Sequence, residues 1–169
     1  MRLLGVDPGS RRTGIGIIEA RGNRISHIHH CVIRADGDFD KRLHMLFSGV
    51  RTIIREYQPD EAAMEDVFVA KNAASALKLG QARGALIAAC TDAGLRVTPY
   101  SPTAVKQALV GFGRADKGQI QHMVQILLSP PPPLQEDAAD ALAVAICHAH
   151  HAPMKQRSRM SRTAAGSNA

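Results

Sequence analysis

The chain has 169 residues, 45% of them hydrophobic but only 4% aromatic, with no Trp and a formal charge of +6. That is enough for one domain whose core is built from Ala, Val, Ile and Leu, and too apolar for a disordered chain. Three scattered cysteines without a Cys-x-x-Cys pair exclude a disulfide scaffold, and no apolar run nears the roughly 18 residues of a membrane span. With no signal-peptide pattern at Met1, a cytoplasmic protein is expected.

Leu3 to Val6 predicts a short buried strand that Asp7 closes. Thr13 to Ala20 predicts a second strand, Arg21-Gly22-Asn23 a hairpin turn, and Arg24 to Ile33 a third strand, so the chain opens as an antiparallel meander. Between Asp40 and Tyr57, Leu43, Leu46, Phe47, Val50, Ile53 and Ile54 recur at helical spacing, and Pro59 stops the helix. Ala62 to Met64 leads into Glu65 as a fourth strand. Asn72 caps a helix that reaches about Ala93, before Gly94 and a fifth strand over Leu95 to Thr98. Ser101-Pro102 opens a short helix that ends near Gly111-Phe112-Gly113, and Asp116 caps another with Ile120, Met123, Val124, Leu127 and Leu128 on its inner face. Pro130 to Pro133 make a stiff connector. A final helix is expected over Glu136 to His151. The organisation is one domain over residues 1–151 and a basic tail, residues 152–169, expected to be disordered.

This is an α/β order, in which sites gather at the carboxyl ends of parallel strands. If the first and fourth strands are parallel neighbours, Asp7 and Glu65 emerge side by side, while Asp137 and Asp140 share one helix face. Carboxylates gathered this way repel one another and call for divalent cations between them. Two divalent cations about 4 Å apart can serve both the attacking water and the leaving oxygen of a phosphodiester, and Mg²⁺ prefers such oxygen ligands. Singly, each acid has a plainer reading: a turn former, a surface residue or helix-start acids. Asp66 is expected to point the opposite way from Glu65, and Glu136 toward solvent.

The positive charge suits a nucleic-acid partner. Gly9 leaves room for a phosphate and Ser10 offers it a hydroxyl, although turn formation alone also accounts for both. Phe68, in a polar loop, suits either stacking on an unpaired base or closing the core. Arg11, Arg12, Lys71, Lys78, Arg83 and Arg114 are candidate backbone contacts. Small residues at Ala73, Ala76, Gly80, Gly84 and Ala88 form a helix stripe suited to close approach by another element, read here as a dimer contact. His27, His29 and His30, and His148, His150 and His151, form two clusters with no paired ligand geometry and are expected to be surface features.

Four stretches carry a resemblance. Asp7-Pro8-Gly9-Ser10 with Thr13-Gly14 is similar to the opening of the ribonuclease H-like superfamily. Glu65-Asp66-Val67-Phe68 followed by Lys71-Asn72 and Ser75 to Gly84, then Val105-Lys106-Gln107 before Gly111-Phe112-Gly113, then Asp137-Ala138-Ala139-Asp140-Ala141-Leu142-Ala143, narrow it. Together they resemble the bacterial RuvC Holliday junction resolvases, over about Met1 to His150. The resemblance implies a ribonuclease H-like fold, a mixed five-stranded sheet of order 3-2-1-4-5 with an antiparallel second strand, flanked by helices. It implies a homodimer that cuts four-way DNA junctions by paired symmetric nicks, leaving 5′-phosphate and 3′-hydroxyl ends. It implies two Mg²⁺ per site, held by Asp7, Glu65, Asp137 and Asp140, with Mn²⁺ as a substitute. Lys106 and Lys117 would lie beside the scissile phosphate, and Phe68 would act as a base-stacking wedge. RuvA and RuvB, the branch-migration complex, would be partners.

Three alternatives stand beside it. A nucleotide-binding ATPase of similar fold needs a second lobe and a second glycine-rich phosphate loop that this chain lacks. A related nuclease on RNA or RNA–DNA hybrids is disfavoured by Phe68 and the helix after it. A non-enzymatic junction-binding protein does not need all four carboxylates.

Overall fold

The computed structural model describes residues 1–66, 72–111 and 113–165, and for residues 152–165 the helical backbone alone. Five strands, β1 (Arg2–Asp7), β2 (Arg12–Arg21), β3 (Arg24–Arg34), β4 (Glu61–Glu65) and β5 (Val97–Tyr100), form one sheet of order β3-β2-β1-β4-β5. β2 runs antiparallel to β1 and β3, whereas β4 is parallel to both β1 and β5. This is the expected topology, and it sets the ends of β1 and β4 side by side.

Strand alternation sends Leu4, Val6, Ile15 and Ile17 to one face of the sheet. There they pack with Leu46, Val50, Ala82 and Leu86 of α1 (Phe39–Tyr57) and α2 (Ala73–Asp92). Leu3 and Ile18 face the other way, toward α3 (Pro102–Val110), α4 (Lys117–Leu128) and α5 (Glu136–Ala165). The predicted caps are in place. Asn72 accepts from the Ser75 backbone N–H, Ser101 from Ala104, and Asp116 from Gln119 in a reciprocal capping box.

β5 and α5 differ most from expectation, and β5 also ends at Tyr100 rather than Thr98. β5 starts at Val97 rather than Leu95, because the Leu95 N–H still bonds the Cys90 carbonyl in the turn that ends α2, with Gly94 at φ 78. α5 runs past His151 to Ala165, into the stretch expected to be disordered; Met, Lys, Gln, Arg and Ala there favour helix, against Pro153. Among the described residues no helix is long and apolar enough to cross a membrane.

The α5 helix lies on β1 and β2 backbone to backbone. A Cβ at Gly14 would overlap the Asp137 carbonyl oxygen, one at Gly5 the Ala141 carbonyl oxygen, and one at Gly16 the Leu142 backbone. All three glycines therefore serve close approach rather than turns. Gly16→Ala must push α5 off the sheet. It should lower stability by about 1–3 kcal/mol or more, read as a fall in the urea midpoint.

Candidate active site

Asp7 ends β1 and Glu65 ends β4, and the parallel pairing of those strands brings the two carboxyls within hydrogen-bonding reach. Asp7 also stands opposite Gly14 in the β1–β2 register, and Gly14 is where Asp137 of α5 rests. Asp137 and Asp140 thus reach the same place from the first two turns of α5. The four acids, with Lys106 from α3 and Lys117 from α4, line one cavity of about 500 Å³. The four chain-distant carboxylates that the sequence singled out do converge.

Their electrostatics show the strain of convergence. Burial, then the charges of Glu65, Asp140 and Asp137, push the Asp7 carboxyl up from 3.8 to about 8. Glu65 is raised by burial and by Asp140, against the Asp7 hydrogen bond and the pull of Lys117 and Lys106. Burial also raises Asp140, against Lys117. Asp7 and Glu65 therefore hold a proton between them at neutral pH unless a cation replaces it.

Among the described residues no three His, Cys, Asp or Glu side chains are already drawn tightly enough to hold an ion. Two of the four acids are engaged by protein cations instead. Arg12 grips Asp137, with Nε and Nη2 each 2.7 Å from Oδ2. Lys117 bonds Glu136 and lies 3.6 Å from Asp140. The donor set is all carboxylate oxygen, concentrated where like charges need neutralising, so it fits hard divalent cations such as Mg²⁺ or Mn²⁺.

The other candidates are placed variously. Gly9 is needed by its own turn: a Cβ there would overlap the Arg12 carbonyl oxygen, and Thr13 Oγ1 donates to the Gly9 carbonyl at 3.0 Å. The Ser10 carbonyl accepts from buried Arg42 at 3.1 Å. Arg11, Lys78 and Arg114 are exposed. Arg83 is ion-paired to Asp66 at 3.0 Å, which is where Asp66 points instead of into the cavity. Phe68 and Lys71 lie outside the described residues. Glu136, expected to face solvent, is exposed yet serves as the partner of Lys117.

Sequence reading missed the Arg12–Asp137 pair, because nothing local relates residues so far apart. It also put His148 on the surface. The structure corrects this: His148 is 1% exposed, bonded through Nδ1 to the Tyr100 hydroxyl at 2.9 Å and through Nε2 to Glu61 at 2.8 Å. The run of small and apolar residues from Ala141 to Cys147, all buried, was the available signal.

Residues 3–148 match the family model "Crossover junction endodeoxyribonuclease RuvC". The protein of that name from Geobacter sp. (strain M21) is 56% identical over 156 residues, 91% of this chain and 95% of its own. The structure described as "T. thermophilus RuvC in complex with Holliday junction substrate" superposes with a TM-score of 0.85 at 32% identity, over 92% of this chain and 96% of that one. The yeast mitochondrial Holliday junction resolvase Ydc2 shares the fold, at a TM-score of 0.67 and 13% identity, over 95% of this chain and 85% of its own.

Since the folded state holds Asp7 protonated up to about pH 8 and the unfolded chain only to about 4, this group favours the fold below that window. Its contribution is lost as pH rises through it. In EDTA the melting temperature should fall between pH 6 and pH 8. Asp7→Asn should flatten that slope and raise stability at pH 8 by roughly 1–3 kcal/mol, about 3–9 °C. Differential scanning fluorimetry across pH checks both.

Proposed function

Given that the chain belongs to the RuvC family of crossover junction endodeoxyribonucleases, we propose that it nicks four-way DNA junctions in the cavity at the carboxyl ends of β1 and β4. The observation that carries this is the meeting of Asp7, Glu65, Asp137 and Asp140 with Lys106 and Lys117 in that cavity. The four carboxylates are the residues that would hold two Mg²⁺ or Mn²⁺ ions, which supply the charge that activates water and stabilises the leaving oxygen. The protein's own contribution is positional. Sheet pairing holds Asp7 and Glu65, glycine contacts hold the first turn of α5, and the two lysines offset negative charge on the phosphate oxygens. Hydrolysis leaves 5′-phosphate and 3′-hydroxyl ends that a ligase can join.

Paired symmetric nicks call for two copies of the site. The outward side of α2 suits that contact: Ala73, Ala76, Gly80, Gly84 and Ala88 are all exposed, and open space faces Gly80 and Gly84. The opposite side, Ala82, Leu86, Ala89 and Cys90, is buried on α2's own domain. Arg11, Lys78 and Arg114, exposed on three separate segments, are proposed to meet the DNA backbone, with Gly9 and Ser10 near the scissile phosphate. Phe68 is proposed as the base-stacking wedge, with Lys71 beside it. RuvA and RuvB are the proposed partners, in the cytoplasm.

On a synthetic four-way junction with Mg²⁺, Asp7→Asn should bind about as well as the wild type yet nick on the order of 10³-fold more slowly. EDTA should abolish wild-type nicking. Phe68→Ala should cut less while binding stays largely intact. Equal cutting by Asp7→Asn and the wild type would sink the assignment. For the α2 contact, sedimentation at micromolar protein should show a dimer, and Gly84→Leu should shift it toward monomer.

A further inference from the structure

His27 and His30 are three apart on β3, and on a regular strand they would face opposite sides of the sheet. They do not. The β2–β3 register pairs Ile17 with His29 but Ile18 with His27, so Ile28 is an extra residue and β3 bulges there. The bulge turns both imidazoles to one face, where His27 Nε2 lies 2.8 Å from His30 Nδ1, with ring centroids 5.0 Å apart. His29 takes the other face, stacked on Tyr57 and bonded to its hydroxyl at 3.0 Å.

The protons in this pair can be assigned. His30 Nε2 lies 3.2 Å from the Pro133 carbonyl oxygen, which only accepts, so neutral His30 carries its proton on Nε2. Its Nδ1 is then a bare lone pair, and His27 Nε2–H donates to it. An imidazole whose far N–H is tied to a backbone carbonyl is the arrangement that orients metal-ligating histidines. Burial, followed by the neighbouring His30 and His29, lowers the His27 pKa, which keeps that ring neutral as a ligand must be. His30 also borders a cavity of about 410 Å³ beside Pro131, Pro132, Pro133 and Gln135, which leaves room for solvent ligands.

We propose that His27 and His30 form a two-imidazole site for a borderline divalent cation such as Zn²⁺, separate from the carboxylate cavity. Two nitrogens each about 2.0–2.1 Å from a tetrahedral ion lie roughly 3.3 Å apart, so the pair opens by about half an ångström to admit one. Coordination moves the His27 proton from Nε2 to Nδ1 through solvent, and no proton is released. Among the described residues no third His, Cys, Asp or Glu completes the set, so water fills the remaining positions and the site is open and exchangeable. Through His30 and Pro133 the ion would brace β3 against the connector that leads into α5.

Calorimetric titration with Zn²⁺ in excess Mg²⁺ tests this on the intact protein. The wild type should take up one Zn²⁺ that His27→Gln and His30→Gln bind at least tenfold more weakly, while His29→Gln retains it. As a check independent of any variant, Zn²⁺ should move the ¹⁵N resonances of His27 Nε2 and His30 Nδ1 in the wild type to metal-bound positions. Equal uptake by the wild type and His30→Gln, equal loss in His29→Gln, or unmoved imidazole resonances would overturn the site.

Discussion

The backbone of α5 rests on the backbone of β1 and β2 at Gly5, Gly14 and Gly16, with no side chain between them. Close packing of this kind leaves little freedom to slide or tilt, since a shift of a fraction of an ångström brings backbone atoms into overlap. It fixes where Asp137 and Asp140 stand relative to Asp7. The pairing of β1 with β4 fixes Glu65 in the same way. The cavity is therefore built on a sheet and a helix start, which hold side chains more rigidly than loops do.

Bringing four acids to one place is unfavourable, and the chain offsets it in two ways. A proton is retained between Asp7 and Glu65, the most buried pair, as the raised Asp7 carboxyl shows. Toward the rim, Arg12 and Lys117 neutralise Asp137 and Asp140. These side chains are partly exposed, so their ion pairs are screened by water and exchange readily with other cations. Lys117 is accordingly both a wall of the cavity and a temporary counter-ion.

Much of this was legible in the sequence. The element order was, because α2, α3 and α4 have local start signals at Asn72, Ser101-Pro102 and Asp116, α1 shows an apolar face at helical spacing, and the strands are runs of apolar residues. The four carboxylates were legible as a set through the family resemblance, since each alone has a plainer reading as a turn former, a surface residue or a helix-start acid. What escaped were relations between distant residues. Gly14 beneath Asp137 and Arg12 beside it depend on how α5 docks, which no local pattern encodes. The histidines escaped for a different reason: one inserted residue at Ile28 reverses the facing of everything beyond it, and a period-two reading has no means of placing that insertion.

α2 ties these themes together. From Asn72 to Lys78 every residue is exposed, and the buried residues begin only at Ala82, so the first two turns stand clear of the body while the last two are embedded in it. A helical stretch with no packed face is marginal in water. Its amide protons should therefore exchange with solvent long before those near Cys90, and its exposed first turns are cheap to displace from a firmly seated root. Whatever settles on that end recovers its ordering cost locally, without disturbing the sheet that holds the carboxylates.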